Sequence, residues 1–258
     1  RVNFDNSKIK GSINLNGAVI DDLTLEEFRE TLDPTSDLIE FLNPLGSDNA
    51  YYLDTGWVSS DSTIELPNSS SIWIADKNTI GVNEPVKLTW TSDQNITFEK
   101  IITLDENYLF SVDQRVINNS GLSFDLYPYG LSKRQGIPEM QNFFILHEGP
   151  LSITDGVLEE YDYDDLKDDK KIKHSSVGGW IGMTDKYWQT AIIPNQNEPV
   201  QQTYSYSFVD NIDNFQTDIV GERIAVSNNA SISHNFKIFA GPKIVNIIDK
   251  YMEEYGFD

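Results

Sequence analysis

The 258-residue chain contains no cysteine. A disulfide framework, a thiol nucleophile and a zinc-thiolate site are therefore all excluded. Histidine is almost as scarce. His147, His174 and His234 are the only three, and none has the His-Glu-x-x-His spacing that places two imidazoles on one metal. His147 and Glu148 are adjacent, so in a strand they would point to opposite faces and could not act as an acid/base pair. The sequence also lacks a G-x-S-x-G nucleophile elbow, a phosphate loop and a G-x-G-x-x-G turn. No cofactor and no metal are expected. Positive charge is sparse as well, with 19 Lys and Arg against 41 Asp and Glu and a formal net charge of −22. Nucleic acid is excluded as a partner, because binding phosphates needs a basic face that releases counterions. An anionic lipid surface would repel the chain for the same reason. No apolar run approaches the ~18 residues that a membrane-spanning helix needs.

What the sequence has in abundance is alternation. In Val86-Lys87-Leu88-Thr89-Trp90 the apolar side chains fall on one face and the polar ones on the other. Thr203 to Phe208 repeats the pattern, with Tyr204, Tyr206 and Phe208 opposite Thr203, Ser205 and Ser207. Ile232, His234, Phe236 and Ile238 alternate with Ser233, Asn235 and Lys237, which makes His234 a core-facing histidine rather than a catalytic one. Further strands are predicted at Lys8–Leu15, Val19–Leu25, Ile96–Leu104, Tyr108–Asn118, Leu122–Leu131, Gly179–Met183 and Tyr187–Ile193. Turn residues separate them, among them Asn16-Gly17, Asn119-Ser120-Gly121, Asp155-Gly156 and Thr184-Asp185-Lys186. Many short antiparallel strands with no βαβ rhythm predict an all-β fold of stacked sheets.

Three stretches depart from that pattern. Ser59 to Ser71 is polar and turn-rich and reads as a long surface excursion. Asp162 to Lys173 mixes five Asp with four Lys; it lacks the glycine and terminal glutamate of an EF-hand, so it reads as a solvated loop rather than a calcium site. The last stretch predicts a helix of about 14 residues opening at Pro242, where a missing N–H costs nothing. Ile244, Ile248, Tyr251 and Tyr255 fall on its apolar face, flanked by Ile247 and Met252. That face must dock.

Several segments together resemble the large periplasmic domain of YidC, the bacterial inner-membrane insertase. They are Gly11–Ala18 with Asp21-Asp22-Leu23, the Tyr51–Trp57 region, Pro128–Leu131 with Arg134, His147–Pro150, Gly179–Trp188 and Phe239–Lys243. The resemblance implies a β-supersandwich similar to galactose mutarotases. It spans 1–241, followed by a linker helix, 242–258, leading to the membrane domain. It implies a piece of a longer, multi-pass membrane protein, standing on the periplasmic side of the inner membrane. Such a domain is expected to be non-catalytic and monomeric in isolation, with the membrane-embedded part of the same protein as partner and the Sec translocon's accessory subunits and nascent membrane proteins as candidate contacts. Trp180, Asp185, Lys186, Tyr187 and Trp188 are expected to form a structural hairpin carrying its aromatics into the core. The rival reading is a sugar-binding module or an aldose-epimerase-like enzyme, which needs a Glu and a His converging in an open groove.

Overall fold

The computed structural model describes residues 1–138 and 147–255. Along the chain the strands are β1 (Val2–Asp5), β2 (Ile9–Asn14), β3 (Val19–Arg29), β4 (Leu38–Leu42), β5 (Tyr51–Val58), β6 (Ile74–Ala75), β7 (Thr79–Ile80), β8 (Val86–Thr91), β9 (Ile96–Leu104) and β10 (Leu109–Asn118). They continue as β11 (Phe124–Gln135), β12 (Gly149–Thr154), β13 (Val157–Glu160), β14 (Lys171–Val177), β15 (Trp180–Thr184), β16 (Trp188–Ile193), β17 (Pro199–Val209), β18 (Ile212–Gly221), β19 (Ile224–Val226) and β20 (Ala230–Pro242). Helices are α1 (Tyr163–Asp169) and α2 (Val245–Tyr255).

Two sheets result. The larger runs β14-β17-β18-β11-β5-β3-β2-β1-β7, with β19 beside β11 and β4 beside β3; the other runs β13-β12-β15-β16-β20-β10-β9-β8-β6. Between the named strands pairing is antiparallel except between β1 and β7. The alternation predicted from sequence is realised most cleanly in β9, where Ile96, Phe98, Lys100, Ile102 and Leu104 all turn inward. Its neighbour β10 turns Val112, Gln114, Val116 and Asn118 the same way. Both rows join one continuous core that takes side chains from each sheet. An all-β supersandwich with a C-terminal helix is what the periodicity and the resemblance called for.

The departures are local. Asp162–Lys173 is not a solvated loop: α1 occupies its middle and buries Tyr163 and Leu166, while β14 begins at Lys171. Two apolar residues at i and i+3 suffice to dock one short helix, and the surrounding charges face water. Among the described residues no cluster could hold a metal ion. In β17 the alternating face holds only at first. Tyr204 is fully buried, but Phe208 is 60% exposed, because the β17–β18 hairpin runs on past the core. Pro242 does not open the helix either. It closes β20, opposite Trp188, and α2 starts three residues later, after a turn in which the Ile244 N–H donates to the Pro242 carbonyl at 2.8 Å. The last three positions of the expected 242–258 helix lie outside the described residues. Among the described residues no helix is long and apolar enough to cross a membrane.

Candidate functional site

The region that gathers most of the residues singled out from sequence lies where the β15–β16 hairpin, the end of β20 and α2 meet. Close backbone approach builds it. A Cβ on Gly182 would stand 1.8 Å from the Thr190 carbonyl of the partner strand, so β15 and β16 need glycine there to pair. Gly241 serves the same end: its backbone is not left-handed, and a Cβ there would meet the Tyr108 ring at 2.6 Å. The glycine admits an aromatic ring; it does not relax the turn into the helix.

The hairpin is tied to the other sheet by a buried polar set. Asp185 accepts a hydrogen bond from Arg134 Nη1 of β11 at 2.7 Å, with both side chains largely buried. The Arg134 guanidinium lies 4.9 Å over the Tyr51 ring. Tyr51 Oη and Thr190 Oγ1 are 2.8 Å apart, and Ser132 Oγ is 3.1 Å from the same hydroxyl. The Asp185 charge holds the guanidinium protonated well above its ordinary range despite burial, and burial pushes the Tyr51 phenol far up. Trp180 is buried, and Trp188 packs edge to face on Phe28 at 5.0 Å. Tyr187 corrects the expectation that the hairpin takes all its aromatics inward. It sits in the turn, 54% exposed, beneath the Lys186 ammonium, while its carbonyl accepts the Lys243 N–H at 2.8 Å. The Asp185–Arg134 pair is a contact that sequence reasoning missed.

Ile244, in the turn before α2, and Ile247, Met252 and Tyr255 of α2 lie against the core, and α2 buries Tyr251 almost completely. Ile248, Tyr251 and Met252 cover Trp180, Gln189, Ala191 and Phe239, leaving a gap of only about 60 Å³. The Tyr251 hydroxyl donates to Asp105 Oδ2 at 2.5 Å and accepts the Tyr108 N–H at 3.3 Å. Burial, and then the carboxylate beside it, raises the Tyr251 phenol far above its usual value, so it is a permanent donor. Lys250 adds a bond to Glu106 at 2.9 Å, and Lys237 stands 4.1 Å over the Tyr255 ring. The turn between β9 and β10 is thus the helix's dock. It also receives the start of the chain: Asn6 Nδ2 donates to the carbonyls of Asp105 and Asn107 at 2.9 and 2.7 Å, and Lys8 bonds the Asn107 side chain. The docking residues Asp105 and Glu106 carried no pattern beyond an ordinary polar turn.

A Glu–His pair does occur. His234 Nε2 lies 2.9 Å from Glu198 Oε2, at the floor of a shallow depression lined by Asp113, Pro128, Glu222 and Arg223. The ring is buried against Trp57 and Phe236. The two groups are in direct contact rather than spaced across an open groove. His147 and His174 are engaged with the Pro150 carbonyl at 3.1 Å and the Tyr161 hydroxyl at 2.8 Å. Burial lowers the His234 pKa below 6.5, outweighing the raising effect of Glu198. The folded state therefore binds its proton more weakly than the unfolded chain, so its stabilisation is complete above about pH 6.5 and is lost as pH falls through that value towards the lower folded pKa. His234→Asn is expected to shrink the fall in melting temperature between pH 7.5 and pH 5 measured by circular dichroism; an unchanged fall would put the proton elsewhere.

Two large antiparallel sheets closed over one core define the class, a β-supersandwich of galactose mutarotase type. A galactose mutarotase related enzyme from Lactobacillus acidophilus superposes with a TM-score of 0.60 at 9% identity, covering 92% of this chain and 96% of that one. A galactose mutarotase-like protein from Lactobacillus casei superposes at 0.59 with 12% identity, covering 93% and 99%. At such identities the likeness is one of fold alone. The sequence narrows it: the YidC periplasmic domain family matches residues 1–258, and the chain belongs to that family. The membrane protein insertase YidC of Pelagibacter ubique is 38% identical over 260 residues, covering 100% of this chain, and that of Rickettsia canadensis 36% over 257, covering 99%. The chain spans about half the length of these relatives, 45% and 46%.

Proposed function

We propose that this chain is the non-catalytic periplasmic body of a YidC-type insertase of the inner membrane, which assists insertion and folding of membrane proteins by holding the membrane-embedded part of the same protein in position. The observation that carries the reading is the docking of α2. Its Tyr251 is hydrogen-bonded to the Asp105–Tyr108 turn, so the helix continues the rigid body rather than hanging from it. Family membership and the contact geometry of His234 and Glu198 support a scaffold over an epimerase. Contacts with Sec accessory subunits or nascent chains belong to the same proposal and would use surfaces other than this dock.

The test is complementation by the full-length protein in cells depleted of their own insertase. Ile244→Asp with Ile248→Asp is expected to abolish most of the rescue, because a carboxylate at 248 would be buried against Trp180 and Phe239 and one at 244 against the core, or the helix would be expelled. Asp164→Asn with Asp168→Asn, on the exposed side of α1, is the control and should rescue fully. Equal loss from both pairs would reject the positioning role, and so would full rescue by the helix pair at normal protein levels.

A further inference from the structure

Two inward rows of the smaller sheet are interrupted at the same place. In β9 a lysine replaces the apolar residue expected between Phe98 and Ile102; in β10 a glutamine sits between Val112 and Val116. Lys100 and Gln114 are register partners, 3% and 1% exposed. Burying two polar side chains together in a core is costly unless each is satisfied. Lys100 is satisfied: it donates to Asp54 Oδ1 and to the Ala18 carbonyl, both at 3.1 Å, and its ammonium lies 5.3 Å over the Trp73 ring. The other Asp54 oxygen accepts the Tyr129 hydroxyl at 2.8 Å. Gln114 is only half satisfied, its Nε2 donating to the Gly56 carbonyl at 3.5 Å while Oε1 has no protein partner. Nearby, Trp73 Nε1 is likewise buried and unpartnered, in a side chain 3% exposed.

These groups line one recess of about 90 Å³. Its walls include Trp57, Phe98 and Leu131, and its rim is Pro67-Asn68-Ser69 from the polar excursion that the sequence set apart. We infer that the recess is a binding site for a small neutral polyol, a triol or one edge of a monosaccharide ring. Neutrality follows from the charges, since Lys100 and Asp54 answer one another, the lining Glu99 carboxylate is paired with Lys87 at 3.4 Å, and a net charge of −22 opposes anions. Hydroxyls follow from the two open positions. The indole N–H needs an acceptor and the glutamine oxygen needs a donor, and a polyol hydroxyl supplies both from one oxygen. The aromatic walls suit the C–H faces of the polyol carbons, in the usual pattern of an apolar pocket with a few placed polar groups. The site is distinct from the α2 dock and does not depend on it.

The experiment is a titration of the chain with glycerol, D-glucose and D-galactose in the millimolar range, followed through indole N–H resonances in ¹H–¹⁵N spectra. Trp73→Phe assigns the Trp73 signal. At least one of the three is expected to shift that signal saturably, and the one that does reads out the size of the occupant. Gln114→Met keeps the side-chain volume, and it should weaken the apparent affinity about 5–10-fold by removing one hydrogen bond to the ligand. Melting curves of each variant must stay cooperative. No saturable shift with any of the three overturns the inference, as does affinity unchanged by Gln114→Met. A Trp73 signal that exchanges with water alone and ignores all three would make the recess a hydration site and equally overturn it.

Discussion

Tyr251→Ala is expected to lower the unfolding free energy by about 3–5 kcal/mol, read from urea denaturation, and to release α2 from the sheets. The ring is 1% exposed, packs against Phe239 at 6.2 Å and ties the helix to the Asp105–Tyr108 turn through two hydrogen bonds of its hydroxyl. Removing it opens a cavity under Ile248 and Met252 and leaves the Asp105 Oδ2 oxygen without its donor. Tyr251→Phe separates the two effects: the packing stays, the hydrogen bond goes, and the loss should fall to about 1–3 kcal/mol. Amide exchange along Val245–Tyr255 should accelerate strongly in the alanine variant and modestly in the phenylalanine variant. A loss under about 1 kcal/mol for alanine would mean that the helix is held by its aliphatic face alone.

Asp185→Ala should be as damaging, at about 3–5 kcal/mol, for a different reason. The Arg134 guanidinium is buried between the sheets and cannot shed its proton, so truncating its partner leaves an uncompensated charge beside Tyr51. The pair itself need not be stabilising relative to an apolar one. Asp185→Leu combined with Arg134→Met should therefore recover most of the loss in a double-mutant cycle, with a coupling of about 2 kcal/mol or more. If the double variant were no better than the single one, the hairpin turn rather than the charge would be the sensitive element.

The strands were legible because each has one buried face, and period-2 alternation is a local signal. Ile96–Leu104 was located to the residue, and Ile232, His234, Phe236 and Ile238 turn inward as their spacing predicts, with Ile232 only half covered. The apolar stripe of α2 was visible for the same reason. Its docking partner was not, because Tyr251 and Asp105 are 146 positions apart and nothing in a polar turn announces which helix will close on it. The Asp185–Arg134 pair is equally non-local. Helix α1 was hidden by its own charges, since Tyr163 and Leu166 are outnumbered in a window of Asp and Lys. Lys100 and Gln114 could have been noticed: each breaks an apolar row at an inward position, and such a break is the sequence signature of a buried polar site.

The grip on the Asp105–Tyr108 turn from both Asn6 and Tyr251 has a mechanical consequence. Tension between the first strand and the last helix would flow through one short knot of polar contacts, while most of the described strands stand off the line of pull. The sandwich is then cargo on a strap rather than a link in a chain, and a jolt at the tail would reach the head without straining the two-sheet bulk between them.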